Sequence, residues 1–179
     1  MFINKKYQQQ SQVQNYNQKQ TIEGVELVVN NWFNTVDGNF AEILRYDEGK
    51  IAGVAQEVVI RQLNWSYVMP GAIKAYHYHR HQKDVWFCPP YDRLLVNLHD
   101  LRQDSPTFDH HATYVLGAGK NQLLVIPEGV AHGCANIYQR PMALFYAVTQ
   151  QFDPQNPDEN RLSWDTWGEA VWQMEKGRG

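Results

Sequence analysis

The sequence predicts an all-β domain built as a sandwich or barrel, with jelly rolls among the candidates. Three observations lead to this prediction. Short runs rich in Val, Ile, Leu and aromatic residues recur along the chain, as is typical of these folds. Turn-forming pairs such as Pro70-Gly71 and Pro89-Pro90 separate the runs. Only residues 166–176 have a helical pattern, so we expect one short C-terminal helix.

Nine runs are predicted as strands, because each combines β-branched or aromatic residues with flanking turn residues. In chain order they are 24–29, 40–46, 54–63, 73–78, 84–88, 94–98, 113–116, 123–126 and 142–149. Residues 1–20 are rich in Gln, Asn, Lys and Tyr, which predicts a disordered tail. Residues 21–179 then form a single domain, since a chain of 179 residues is of ordinary one-domain length.

Composition narrows the function classes. The formal net charge is −3, so the chain lacks the basic footprint of a nucleic-acid-binding protein. We find no apolar stretch of membrane-span length and no signal-peptide pattern. The two cysteines have no CxxC spacing and do not indicate a disulfide framework. These features predict a cytoplasmic protein without a membrane or nucleic-acid partner.

Two histidine-containing blocks stand out, GAIKAYHYH at residues 71–79 and PEGVAH at 127–132. Alternation along a strand places His77, His79 and His81 on one face. If the two blocks are neighbouring strands, His77 and His132 share a pocket. Several imidazoles in one pocket bind a metal or move protons, and the residues alone leave both possibilities open.

Five blocks resemble one enzyme family. Gln62, Asn64, Ser66, Gly71, Lys74 and His77 resemble the Q-x-N-x-S-x4-G-x2-[RK]-x2-H stretch of dTDP-4-dehydrorhamnose 3,5-epimerases, which are cupin-fold enzymes of deoxysugar biosynthesis. Residues 38–42, 100–108, 126–133 and 145–154 resemble four further family blocks in the same order. The resemblance spans residues 22–172 and implies a cupin-type double-stranded β-helix, or jelly roll.

The resemblance also implies a reaction, namely inversion of C3 and/or C5 of a dTDP-4-keto-6-deoxyhexose without a cofactor. It implies that His77 is the base that removes the proton and that Tyr146 is the proton donor. The implied substrate-binding residues are Glu42, Gln62, Asn64, Lys74, Lys83, His132 and Phe152. A homodimer is implied as well, because the family's strand at Phe40 and Glu42 reaches the neighbouring subunit.

One family feature has no match in this sequence. The family orients its catalytic His with an Asp that follows the last Trp, and no residue after Trp172 corresponds to it. Without such a carboxylate, His77 is expected to be a weaker and less oriented base. Asp165 or Glu175 could substitute for that carboxylate, although no sequence pattern places either of them beside His77.

Two other function classes fit the same residues. His77, His79, Asp84 and His132 also match the ligand pattern of metal-dependent cupins, which would make the chain a dioxygenase or isomerase. A non-catalytic sugar-nucleotide binder on the same scaffold is the third class. For the remaining histidines we expect loop or surface positions, at His79, His81, His99, His110 and His111. We expect Trp164, Trp167 and Trp172 to clasp the C-terminal segment onto the barrel.

Overall fold

Two five-stranded antiparallel sheets form the fold of the computed structural model, which describes residues 2–11, 21–47 and 50–173. The first sheet has the order β1 (Glu26–Asn30), β11 (Asn121–Ile126), β8 (Asp84–Phe87), β13 (Met142–Val148) and β6 (Gln62–Val68). The second has the order β10 (His111–Gly117), β9 (Arg93–Asp100), β12 (Val130–Ala135), β7 (Ile73–Tyr78) and β14 (Asn160–Arg161). Two hairpins complete it, β2 (Trp32–Thr35) with β3 (Gly38–Ala41) and β4 (Tyr46–Asp47) with β5 (Lys50–Ile51). The all-β prediction is confirmed.

The main core lies between the two sheets. Alternate residues of β9 point inward, so Leu94, Val96 and Leu98 pack in one cluster with Leu124 and Ile126 of β11. All five side chains are buried. Burial of this apolar surface, at about 25 cal/mol per Å², is the main force that holds the two sheets together.

The C-terminal segment covers the outer face of the second sheet. Tyr76 is fully buried there, edge-on to Trp167 at 4.6 Å between ring centroids and tilted against Trp172 at 5.1 Å. The Trp172 indole N–H donates to the Trp164 carbonyl at 2.8 Å. The predicted tryptophan clasp is therefore confirmed. The predicted helix is a single 3-10 turn, Glu169–Trp172, and residues 174–176 lie outside the described residues.

The outer face of the first sheet is covered by a segment that we predicted as a strand. Residues 54–61 are not in a strand, although Val58 is fully buried against Val85 and Phe87. The Glu26 carboxylate accepts from the backbone N–H groups of Ala55 at 2.7 Å and Gln56 at 3.2 Å. Because a side chain satisfies these donors, the segment packs as an irregular cover without a neighbouring strand.

Strand β12 is absent from the sequence prediction, since its small residues have low β-propensity. Their size serves close packing against β7. A Cβ at Gly133 would lie 2.3 Å from the Ala75 Cβ, and the register shifts between His132 and Cys134. The turn before the strand requires Gly129, whose φ is +73°.

The predicted tail is described in part. Residues Lys5–Gln10 form a helix, α1, that buries none of its residues, and residues 12–20 lie outside the described residues. Within the described part of the chain, no helix combines the length and apolarity needed to cross a membrane.

His99 is buried, contrary to the expected surface position. Its ring stacks on Trp167 at 3.7 Å between centroids, and its Nδ1 has no hydrogen-bond partner. Burial, reinforced by the neighbouring His111, lowers the pKa of His99 from 6.5 to about 4. The position of His99 next to Asp100 in the sequence favours a surface hydrogen bond. In the structure, however, the C-terminal segment covers β9 at this point.

We expect the free energy of unfolding to decrease by roughly 1–3 kcal/mol from pH 6.5 to pH 4 on account of His99. In this window the unfolded chain takes up a proton that the folded chain does not, so acid favours unfolding. Chemical denaturation of His99→Phe, which keeps an aromatic ring against Trp167, should show a smaller pH slope. The exposed His110→Phe is the control and should keep the wild-type slope. An unchanged slope in His99→Phe would contradict the assignment.

Candidate active site

A cavity of about 490 Å³ opens between the two sheets and is lined by the histidines of both histidine blocks. The first sheet contributes Asp84 and Tyr146, and the second contributes His77 and His132. The cavity also has apolar walls, among them Trp86 and Leu144. Such a mixture of apolar surface and a few polar groups is typical of small-molecule sites.

His77 and His132 face each other on neighbouring strands. They are direct partners in the register of β7 and β12, and their rings are 6.4 Å apart between centroids with an interplanar angle of 18°. The prediction that the two blocks bring both histidines into one pocket is confirmed. His132 is buried and its Nδ1–H donates to the Val130 carbonyl at 2.9 Å. Burial lowers the pKa of His132 and keeps this imidazole neutral.

A carboxylate that sequence reasoning did not identify orients His77, which corrects the expectation of a less oriented base. The His77 Nδ1–H donates to the carboxylate of Glu159, and both residues line the cavity. This hydrogen bond lowers the pKa of Glu159 from 4.5 to about 2, so Glu159 is ionised. The expected substitutes do not have this role. Asp165 accepts instead from the Ser163 hydroxyl, and Glu175 lies outside the described residues.

The pairing of a short strand with β7 explains how Glu159 reaches His77. The two-residue strand β14 pairs with β7, with Arg161 opposite His77 and Asn160 opposite Tyr78. Glu159 is the residue that immediately precedes this pairing. A two-residue strand is too short to show a hydrophobic period, so the acidic pair Asp158 and Glu159 is the local signal that could have pointed to this contact.

Tyr146 lies on the sheet opposite His77. It is on β13, and both side chains line the cavity. Burial, together with the nearby carboxylates of Asp84 and Glu159, raises the pKa of Tyr146. The hydroxyl therefore keeps its proton at neutral pH and can act as an acid.

His79 is buried, although we expected a solvated loop position. Its Nδ1–H donates to the Asp158 carbonyl, and the Asp158 carboxylate accepts from the backbone N–H groups of Arg80 and His81. The segment that contains Asp158 thus covers the turn after β7. His81, two residues further on, is exposed as expected.

His79, Asp84 and His132 form a buried cluster. One ligand atom from each lies within 4.8 Å of the others. The Asp84 carboxylate is 3.6 Å from His79 Nε2 and 3.7 Å from His132 Nε2. Three of the four residues of the predicted metal pattern are thus together, whereas His77 is bound to Glu159.

The predicted substrate-binding lysines occupy different places. Lys74 lines the cavity. Lys83 does not, because its ammonium group donates to the Glu57 carbonyl at 3.2 Å. Arg161, which sequence reasoning did not identify, lines the cavity with its guanidinium 3.5 Å from Glu159.

Four further predicted residues do not line the cavity of a single chain. The Gln62 side chain donates to Asn64 at 2.8 Å and accepts from the Phe152 backbone N–H at 2.9 Å. The Phe152 ring is 64% exposed. Glu42 is exposed and pairs with Arg45 at 2.8 Å.

Comparison with known proteins gives the family. The family model described as dTDP-4-dehydrorhamnose 3,5-epimerase matches residues 19–172. The spore coat polysaccharide biosynthesis protein SpsL of Bacillus subtilis is 41% identical over 128 residues, which are 72% of this chain and 80% of that protein. The probable low-salt glycan biosynthesis epimerase Agl13 of Haloferax volcanii is 30% identical over 72% of this chain and 79% of its own length.

Solved structures share the architecture. The dTDP-4-dehydrorhamnose 3,5-epimerase of Bacillus anthracis, a structure with TDP and PPi bound, superposes with a TM-score of 0.70 at 24% identity. The match covers 83% of this chain and 84% of that one. The predicted cupin-type jelly roll is confirmed by this likeness. The family model covers most of the chain, and we conclude that the chain belongs to the dTDP-4-dehydrorhamnose 3,5-epimerase family of nucleotide-sugar epimerases.

Proposed function

We propose that this chain inverts C3, C5 or both in a dTDP-linked 4-keto-6-deoxyhexose, with His77 as base and Tyr146 as acid. One observation supports this assignment above the others: His77, oriented by Glu159, and Tyr146 lie on opposite sheets of one cavity. Inversion needs a base and an acid on opposite faces of the sugar ring, and this arrangement supplies them.

The reaction begins with proton removal. Because Nδ1 of His77 donates to Glu159, Nε2 is the basic nitrogen. It takes the proton from the carbon beside the C4 ketone, and the electron pair of the broken C–H bond forms the enolate. The Tyr146 hydroxyl then gives its proton to the opposite face of that carbon, and the enolate returns to the ketone with the configuration inverted.

Positive charge at the cavity stabilises the negative groups of the substrate. Lys74 and Arg161 are the cationic side chains among the described residues that line the cavity. We propose that both side chains bind the diphosphate and add to the positive potential around the enolate. His132 is proposed to contact the sugar, since its buried ring lies beside His77.

The test is hydrogen exchange with solvent. The protein is incubated with dTDP-4-keto-6-deoxyglucose in D2O, and NMR follows the C3 and C5 protons. Deuterium at either carbon together with inverted product would support the epimerase. Binding of the sugar nucleotide without exchange would favour the non-catalytic binder. The absence of both binding and exchange would contradict the proposal for this substrate.

We expect Lys74→Ala to raise KM about 10-fold or more with a smaller change in kcat, because a charge-assisted hydrogen bond to phosphate contributes roughly 1.5–3 kcal/mol. Lys83→Ala is the matched control. The Lys83 ammonium group contacts Glu57 and lies outside the cavity. Its removal should therefore change KM by less than about 2-fold, because the interactions of a surface charge contribute little free energy. Steady-state kinetics at low and high salt checks both variants. A larger effect in Lys83→Ala would reverse the assignment of the two lysines.

We further propose a homodimer. Leu63, Trp65 and Tyr67 alternate along the edge strand β6, and each is more than half exposed. They adjoin an apolar cavity of about 380 Å³ lined by Leu63, Phe87 and Phe145. Exposed apolar surface of this extent is typical of an interface. A dimer would also account for Glu42, which lines neither of these two cavities in a single chain.

Sedimentation equilibrium should give twice the chain mass for the wild type. Trp65→Glu should increase the monomer fraction, because it places a charge within the apolar surface. The control is Tyr7→Glu on the exposed helix α1, which should leave the mass unchanged. A monomeric wild type would contradict the proposal.

A further inference from the structure

The cluster of His79, Asp84 and His132 has the hydrogen-bonding pattern of ligands around a cation. In each imidazole Nδ1 faces a backbone carbonyl, that of Asp158 for His79 and that of Val130 for His132. A carbonyl oxygen only accepts, so Nδ1 carries the proton in both rings. A neutral ring with this tautomer presents a lone pair on Nε2.

Both Nε2 atoms point at the same carboxylate. The distances to Asp84 are 3.6 Å from His79 and 3.7 Å from His132. These separations are too long for hydrogen bonds. Two imidazole nitrogens and a carboxylate therefore converge on one point without a hydrogen bond between them, an arrangement that a positive ion at their centre would stabilise.

The Asp84 carboxylate accepts hydrogen bonds from two neutral donors. The Gln82 amide donates to Oδ1 at 2.8 Å and the Trp86 indole donates to Oδ2 at 3.0 Å. Among the described residues, no Lys or Arg forms an ion pair with Asp84, which is 4% exposed. Burial of an uncompensated carboxylate is costly. In metal sites, hydrogen-bond donors usually hold the ligating carboxylate, and backbone carbonyls or carboxylates hold the ligating histidines.

The spacing also suits a transition metal. With metal–ligand bonds of about 2.0–2.2 Å, neighbouring ligand atoms around a tetrahedral ion are about 3.4 Å apart. The two observed nitrogen–oxygen distances exceed this value by only a few tenths of an ångström. All three residues line the cavity, so further coordination positions are available from that side.

We propose that His79, Asp84 and His132 bind one divalent first-row transition-metal ion, such as Zn²⁺, in the cavity. Two imidazoles and one carboxylate are a common ligand set for such ions. The ligand set differs from the four-residue pattern that the sequence suggests, since His77 is held by Glu159 and stays outside it.

A cation at this position would lie beside His77 and add positive charge where a substrate enolate forms. This consequence rests on the proposed function, whereas the metal site itself does not. Such a charge would matter because Lys83, which the family resemblance implies as a substrate-binding residue, does not line the cavity.

Metal binding is tested without substrate. Tag-free protein is stripped of metal and titrated with Zn²⁺ by calorimetry, and with Co²⁺ by visible absorption. We expect one equivalent to bind, and we expect His79→Gln and Asp84→Asn each to weaken binding at least about 100-fold, more than the loss of an outer-shell group does. His77→Asn and the exposed His81→Gln should bind as the wild type does. Circular dichroism checks that each variant is folded.

X-ray absorption spectroscopy of the zinc-loaded wild type provides a second test that needs no variant. Two imidazoles and one carboxylate in the first shell are expected. A sulfur ligand would indicate Cys134, which also lines the cavity, and would overturn the assignment. Failure of the wild type to bind one equivalent, or unchanged binding by folded His79→Gln, would overturn it as well.

Discussion

Replacement of His77 with Asn is expected to lower the rate of deuterium incorporation at C3 and C5 by about 10³-fold, within the usual range for loss of a general base. Asn places an amide near the position of the imidazole Nδ1, where it can still bond to Glu159, but it has no basic nitrogen. Substrate binding should change much less than the rate, because Lys74 and Arg161 remain at the cavity. The rate is measured by NMR in D2O at saturating substrate.

The same argument predicts the effect of Glu159→Gln. The amide can accept the hydrogen bond from His77 Nδ1, but it removes the negative charge that stabilises the imidazolium formed after proton transfer. We expect a loss of about 10²-fold in the exchange rate, and Glu159→Asp should recover part of it. The pH profile separates a positioning role from a merely structural one. Loss of the carboxylate should move the acidic limb of the rate profile to lower pH, whereas a merely structural role would leave that limb in place.

The double variant His77→Asn/Glu159→Gln sharpens the test. If Glu159 acts through His77, its replacement should add little once His77 is absent, because residues that act as a unit give non-additive losses. Losses that multiply would show that Glu159 acts independently of His77. The control is Asp165→Asn, which alters a carboxylate bonded to Ser163 and should leave the exchange rate within about 2-fold of wild type, as expected of a surface position.

The predictability of the fold follows from how its strands are stabilised. Strand β7 is predicted with its observed bounds, and β9 and β11 nearly so, because each contains a short run of apolar residues between turn residues. Strand β12 was missed because its residues are selected for close approach, as Gly133 shows against Ala75. The prediction of a strand at residues 54–61 is wrong. An irregular segment that covers a sheet with apolar side chains has the same composition as a strand, so composition does not distinguish the two.

The site, like the fold, divides into features that local sequence patterns predict and features that they do not. Sequence periodicity and block spacing predicted that His77 and His132 share a cavity, and the register of β7 and β12 confirms it. The partners of His77 and His79 could not be predicted, because Glu159 and Asp158 reach them across about eighty residues of chain through the short strand β14. Contacts of this kind depend on tertiary pairing and leave no local pattern in the sequence.

Replacement of Tyr146 with Phe is expected to separate proton exchange from inversion. His77 remains in place on the opposite sheet, so it can still remove the proton and return deuterium to the same face of the carbon. We therefore expect deuterium incorporation within about 10-fold of wild type, while formation of inverted product falls by about 10²–10⁴-fold, the range for a lost general acid.

The measurement follows both quantities in one sample, deuterium content and configuration at C3 and C5. Phe keeps the ring and its packing, so a change in folding should not obscure the result, and thermal melting checks this point. Loss of exchange and inversion together would mean that Tyr146 is required for enolate formation as well. Undiminished inversion would mean that another group, or water, delivers the second proton. Because His77 and Tyr146 approach from different sheets, exchange with retained configuration is the outcome that the geometry favours.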